Sequence, residues 1–157
     1  MKPESRQPSV LVKNSQRALP FDVAELQRFG AAALQEACRV LPRSREAGCA
    51  IREIIVVLVS DRRIAELHRR FMNIAGPTDV ITFQHGEIYI SVETAMRHAN
   101  EYATKPEDEI QLYVVHGILH LLGLEDTTEE AAKVMEETQA RIVKAAAEVA
   151  RRIADQP

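Results

Sequence analysis

Apolar residues recur along this chain with two different periods, and the switches between the two mark out the elements. Val10 to Lys13 has the make-up of a short strand. Asp22 and Glu25 then stand at capping-box-like spacing. Val23, Leu26, Phe29, Ala33, Leu34, Ala37 and Leu41 follow at helical intervals and predict an amphipathic helix that stops near Pro42. Ile54 to Val59 is an unbroken apolar run, mostly β-branched, the pattern of a strand covered on both faces and central to a sheet. Asp61 is placed to cap a helix from Arg62 to about Phe71, with Ile64, Leu67 and Phe71 facing inward. Asp79 to Phe83 and Glu87 to Ser91 predict two strands joined through Gln84, His85 and Gly86 as an antiparallel hairpin. Ser91 caps a helix to about Tyr102, and Pro106 opens another where a missing amide donor does no harm. Thr127 and Glu130, again at capping-box spacing, open a long final helix toward Ala154.

This order predicts an α+β fold: a small mixed sheet of about four strands packed with about five helices. With 157 residues, 46% of them hydrophobic, one domain over residues 10–155 is expected, preceded by a flexible segment over residues 1–9. No apolar run reaches the roughly 18 to 20 residues of a membrane span, and the N-terminus lacks the apolar core of a secretory signal. A cytoplasmic protein without a membrane partner is therefore expected. Cys38 and Cys49, two thiols in a chain without such a signal, are expected to be reduced and structural. A net charge of -3 argues against wholesale wrapping by nucleic acid but leaves room for a local basic groove.

The most informative stretch is Leu112 to Leu122. Apart from Gly117, its only non-apolar residues are His116 and His120. Spaced i,i+4, they stand one above the other on one helix face, about 6 Å apart along the axis. A zinc ion accepts that geometry and requires a third ligand from beyond the turn. Gly123 is the expected C-terminal cap that folds the chain back, and Glu125 and Asp126 follow it. The alternative is a pair of ordinary helix histidines. Imidazoles in an apolar sleeve need partners, however, and no Ser, Thr, Asn or Gln lies within a turn of either.

Three segments together, Gly76 to Phe83, Gly86 to Glu93 and His116 to Gly123, resemble the YbeY family of bacterial metal-dependent endoribonucleases in order and spacing. The similarity runs from about Val10 into the last helix. It implies a metallohydrolase-like domain that cleaves single-stranded RNA, acting in ribosomal RNA processing, maturation and ribosome quality control at the small ribosomal subunit. It also implies zinc held by three histidines. The chain departs from the family pattern at two places. The third histidine falls on Asp126, so the implied metal ligands are His116, His120 and Asp126, with Glu125 as the fallback. A carboxylate keeps zinc acceptable and makes manganese or another divalent ion more so. Asp126 is otherwise an N-cap of the last helix. The second departure is Met72, which stands where the family usually has an arginine that holds the substrate backbone.

Arg69 and Arg70 are candidate replacements for that arginine or else a solvated face, and Arg97 is either a basic substrate contact or simply exposed. His85, in the hairpin turn, is a surface residue or an acid or phosphate contact. Asp79 either hydrogen-bonds a ligand histidine from behind or closes the turn before its strand. Two other functions remain open. One is a ribosome-assembly RNA-binding factor with weak or lost catalysis. The other, a metallopeptidase, is disfavoured because Gly117 replaces the general-base glutamate of H-E-x-x-H.

Overall fold

The computed structural model describes residues 8–41 and 51–157. Residues 42–50, Cys49 among them, and most of the N-terminal segment lie outside the described residues. Strand β1 (Ser9–Asn14) leads to helix α1 (Val23–Val40), β2 (Glu53–Val59) and α2 (Asp61–Met72). The hairpin β3 (Val80–Phe83) and β4 (Glu87–Ser91) follows, then α3 (Val92–Tyr102), α4 (Pro106–Leu121) and α5 (Glu129–Ala154). The strands form one mixed sheet in the order β1-β2-β4-β3, with β1 and β4 parallel to β2 and β3 antiparallel to β4. The result is the expected single α+β domain. β2 is the inner strand its apolar run predicted, with partners on both sides.

The two faces of the sheet are unequally covered. Ile54, Val56, Leu58, Ile88 and Ile90 point into the main core with residues of α1, α4 and α5. Val57, Val59 and Ile81 point the other way and are covered by Ile64 and Leu67 of α2. Within α4, Ile110, Val114, Val115, Ile118 and Leu119 are fully buried, each stabilising the fold by roughly 1.5–3 kcal/mol. α4 approaches the sheet at Gly117, where an added Cβ would stand 2.8 Å from Ile88 Cδ1 and 2.9 Å from its Cγ2. A glycine there lets the histidine-bearing helix lie close against β4.

The caps show where local pattern misled. The Ser60 side chain, not Asp61, accepts the Arg63 N–H and caps α2. Asp61 instead accepts from the Ser91 and Thr94 hydroxyls and the Arg97 guanidinium, tying α2 to α3. Burial pushes the Asp61 carboxyl up, but the hydrogen bonds from Arg97, Ser91 and Thr94 outweigh it and hold its pKa at about 2. Thr128, one residue past the expected Thr127, caps α5 by accepting from Ala131 N–H. Phe71 was expected to face inward but is 56% exposed. It lies in the last turn of α2, past the stretch covered by Ile64 and Leu67, so its helical period no longer has core beneath it. Cys38 is disulfide-bonded, which corrects the expectation of a reduced thiol.

Candidate metal centre

α4 ends in a Schellman turn. Gly123 takes φ +94°, its N–H donates to the His120 carbonyl, and the Leu124 N–H donates to the Leu119 carbonyl. Leu122 is the C-cap, and the reversal brings the chain after Gly123 back along the histidine face. Because Thr128 caps α5, the Asp126 carboxylate is released from that duty. Among the described residues, His116, His120 and Asp126 form the one group of three ligand-type side chains close enough to share an ion.

The distances within the group are those of a chelate. His116 Nε2 and His120 Nε2 lie 2.9 Å apart, and Asp126 Oδ2 stands 3.6 Å from the first and 3.7 Å from the second. The point equidistant from these three atoms is about 2.0 Å from each, the length of a zinc bond to imidazole or carboxylate. The residues therefore fit one divalent ion with a position left open. The two rings meet nearly edge to face, with centroids 4.5 Å apart. Side-chain exposures of 24% for His116, 27% for His120 and 38% for Asp126 leave the group reachable from solvent, so the helix is less enclosed than its sequence suggests.

Behind His116 stands Gln139 of α5, whose Oε1 lies 3.0 Å from His116 Nδ1. In that contact Nδ1–H donates to the amide oxygen, which leaves the lone pair of Nε2 facing the Asp126 carboxylate. The sequence reading missed this residue. Its signal was available: Met135, Ile142, Ala146 and Ala150 form the buried stripe of α5, and Gln139 is a polar interruption of that stripe.

The remaining candidates lie elsewhere. Glu125 is exposed and lines a separate groove of about 820 Å³ with Leu122, Leu124 and Val134. Asp79 does not hydrogen-bond a ligand histidine. Its Oδ1 accepts from Val80 N–H and the Thr78 hydroxyl, because it closes the turn that enters β3. His85 is 68% exposed and faces Glu87, with its ring stacked on Phe83. Arg97 is engaged with Asp61 and Thr94. Arg69 and Arg70 are exposed in the last turn of α2, with Arg70 over the Phe71 ring. None of these has a hydrogen bond or ion pair to the histidine group among the described residues.

Residues 11–147 match the family model described as Endoribonuclease YbeY. The chain belongs to the YbeY family. An Endoribonuclease YbeY of Pelotomaculum thermopropionicum is 32% identical over 149 residues, spanning 85% of this chain and 94% of the relative. Another, of Bacteroides thetaiotaomicron, is 32% identical over 94 residues, 55% of this chain and 69% of the relative. A Thermotoga maritima protein solved in solution superposes with a TM-score of 0.61 at 28% identity, covering 87% of this chain and 88% of that one. The YbeY match spans both histidines, Asp126 and Gln139, so the group lies wholly inside the family region.

Proposed function

We propose that the domain over residues 10–155 is a metal-dependent endoribonuclease that cuts single-stranded RNA, with one zinc ion held by His116, His120 and Asp126. Ribosomal RNA, during processing and quality control of the small subunit in the cytoplasm, is the substrate this reading assigns. Membership of the YbeY family supports RNA cleavage as the reaction. No helix among the described residues is long and apolar enough to cross a membrane. The observation that carries the metal is the convergence of two imidazole nitrogens and a carboxylate oxygen at chelating distances.

A divalent ion bound there supplies Lewis acidity and charge neutralisation at a phosphodiester. The chain supplies the positioning. Gln139 holds His116 in the tautomer whose Nε2 faces the site. The close packing of Gly117 on Ile88 fixes the helix that carries both rings. Asp126 adds a negative charge that a histidine at this place would lack, so harder divalent ions such as manganese become more acceptable beside zinc, and water on a bound ion would be a weaker acid. The partial exposure of the three ligands admits a polymer from the side.

A peptidase is disfavoured on geometry as well as on sequence. Position 117 points at Ile88, so a glutamate placed there would drive into the core rather than reach the ligands. The reading of an assembly factor with weak catalysis is favoured by Met72, which leaves the site without the family's usual arginine. Purified, metal-quantified protein incubated with single-stranded RNA separates the two. Bound metal and chelator-sensitive cutting support the enzyme. Tight binding of RNA or ribosomal subunits without cutting supports the assembly factor, and absence of both refutes the pair.

A further inference from the structure

On the sheet face covered by α2, a set of rings at the end of that helix is only partly covered. Phe71 meets Phe83 edge-on at 5.1 Å between centroids, and Tyr89 meets Phe83 edge-on at 5.6 Å. The His85 ring lies 5.8 Å from Phe83 with only 24° between the planes. Glu87 holds this arrangement by accepting from the Tyr89 hydroxyl and facing His85 Nε2 at 3.2 Å. Phe71, Met72 and Ile74 are all exposed.

Charge distinguishes this patch from an ordinary apolar one. Helix α2 carries four arginines, Arg62, Arg63, Arg69 and Arg70, against Asp61 and Glu66, in a chain whose net charge is -3. Asp61 is neutralised by Arg97, and Glu66 by Arg62 and Arg63. Arg69 and Arg70 have no ion-pair partner among the described residues, and the Arg70 guanidinium stands 5.3 Å from the Phe71 ring centre. The exposed rings of Phe71 and His85, beside guanidinium groups with no ion-pair partner, make a surface on which unpaired bases stack while their phosphates are neutralised.

The position of the patch fits the endoribonuclease reading, on which this inference rests. β3 is an outer strand, and along it Ile81 and Phe83 face α2 while Val80 packs in the core shared with α4. Thr82 pairs with Ile88, the residue on which Gly117 rests between the two ligand histidines. The rings and the histidine helix thus flank the same hairpin from its two faces. We infer that Phe71, Phe83 and His85, with Arg69 and Arg70, form a base-stacking platform for single-stranded RNA that passes over the β3 edge toward the metal centre. A duplex keeps its bases stacked internally and has none to offer, so the platform selects single strands.

The chain contains no tryptophan, so Phe71→Trp places a single tryptophan, excited apart from the tyrosines, at the platform. Titration with a 12-nucleotide single-stranded RNA in the presence of chelator, which prevents cutting, is expected to quench its emission, whereas a duplex of the same sequence is not. Phe71→Ala is expected to weaken binding of the single strand by about 5- to 150-fold, the range for loss of one base stack. Its zinc content and thermal midpoint should stay close to those of the parent, because the residue is exposed. Unchanged emission while anisotropy shows the strand bound, or unchanged affinity of Phe71→Ala, overturns the platform. In that case a parent protein that still cuts RNA leaves the proposed function standing. A parent that neither binds nor cuts single-stranded RNA removes both.

Discussion

Gln139 offers the sharpest quantitative test of the metal centre, because it touches a ligand without being one. Replacing it with leucine removes the acceptor 3.0 Å from His116 Nδ1 and leaves that N–H to water. Residues that orient a ligand imidazole typically contribute 10- to 100-fold to metal affinity. His116 is 24% exposed, so water replaces part of the lost bond and the lower end applies. About a tenfold weaker zinc affinity is expected, close to 1.4 kcal/mol. Gln139→Glu acts with the opposite sign: a carboxylate at the same place makes the imidazole a stronger base, and zinc affinity should rise. Competition against a chromogenic zinc chelator at fixed pH measures both. If Gln139→Leu binds zinc like the parent, or if the two variants shift in the same direction, the contact does not orient a metal ligand and the positioning role given to Gln139 fails.

Asp126→Ala should lower zinc affinity by more than the 10- to 100-fold typical of residues behind the ligands, whereas Asp126→His should raise it; metal content after dialysis reads both. Gly117→Glu, which completes the sequence H-E-x-x-H, should give no peptidase activity. It should also destabilise the fold by at least about 3 kcal/mol in denaturant melts, since it combines overpacking against Ile88 with a buried carboxylate. The Asp61 carboxyl has its pKa lowered from 3.8 to about 2, so its stabilising contribution is complete above pH 4 and fades as pH falls toward 2. That shift corresponds to about 2 kcal/mol. Asp61→Asn should therefore be less stable at pH 7 and show a shallower loss of stability between pH 4 and 2 in acid unfolding curves.

Periodicity and cap chemistry made most of this fold legible in the sequence. The apolar run Ile54 to Val59 implied an inner strand, and it pairs on both sides. The i,i+4 histidines and Gly123 implied a chelating face closed by a left-handed turn, and the Leu122 to Leu124 reversal has that form. These features are local: they depend on residues within a few positions of one another, where helix and turn geometry allow few alternatives. The failures were of a different kind. Whether Asp61 caps a helix or joins two depended on Ser91, Thr94 and Arg97, some 30 residues away. Gln139 reaches His116 only because α5 packs on α4, across 23 positions. Phe71 keeps its helical register yet lies open, because register states which way a side chain points and not whether anything waits there. Distances within one turn are set by the backbone, while partners across the chain are set by which elements pack together, and only the tertiary structure decides that.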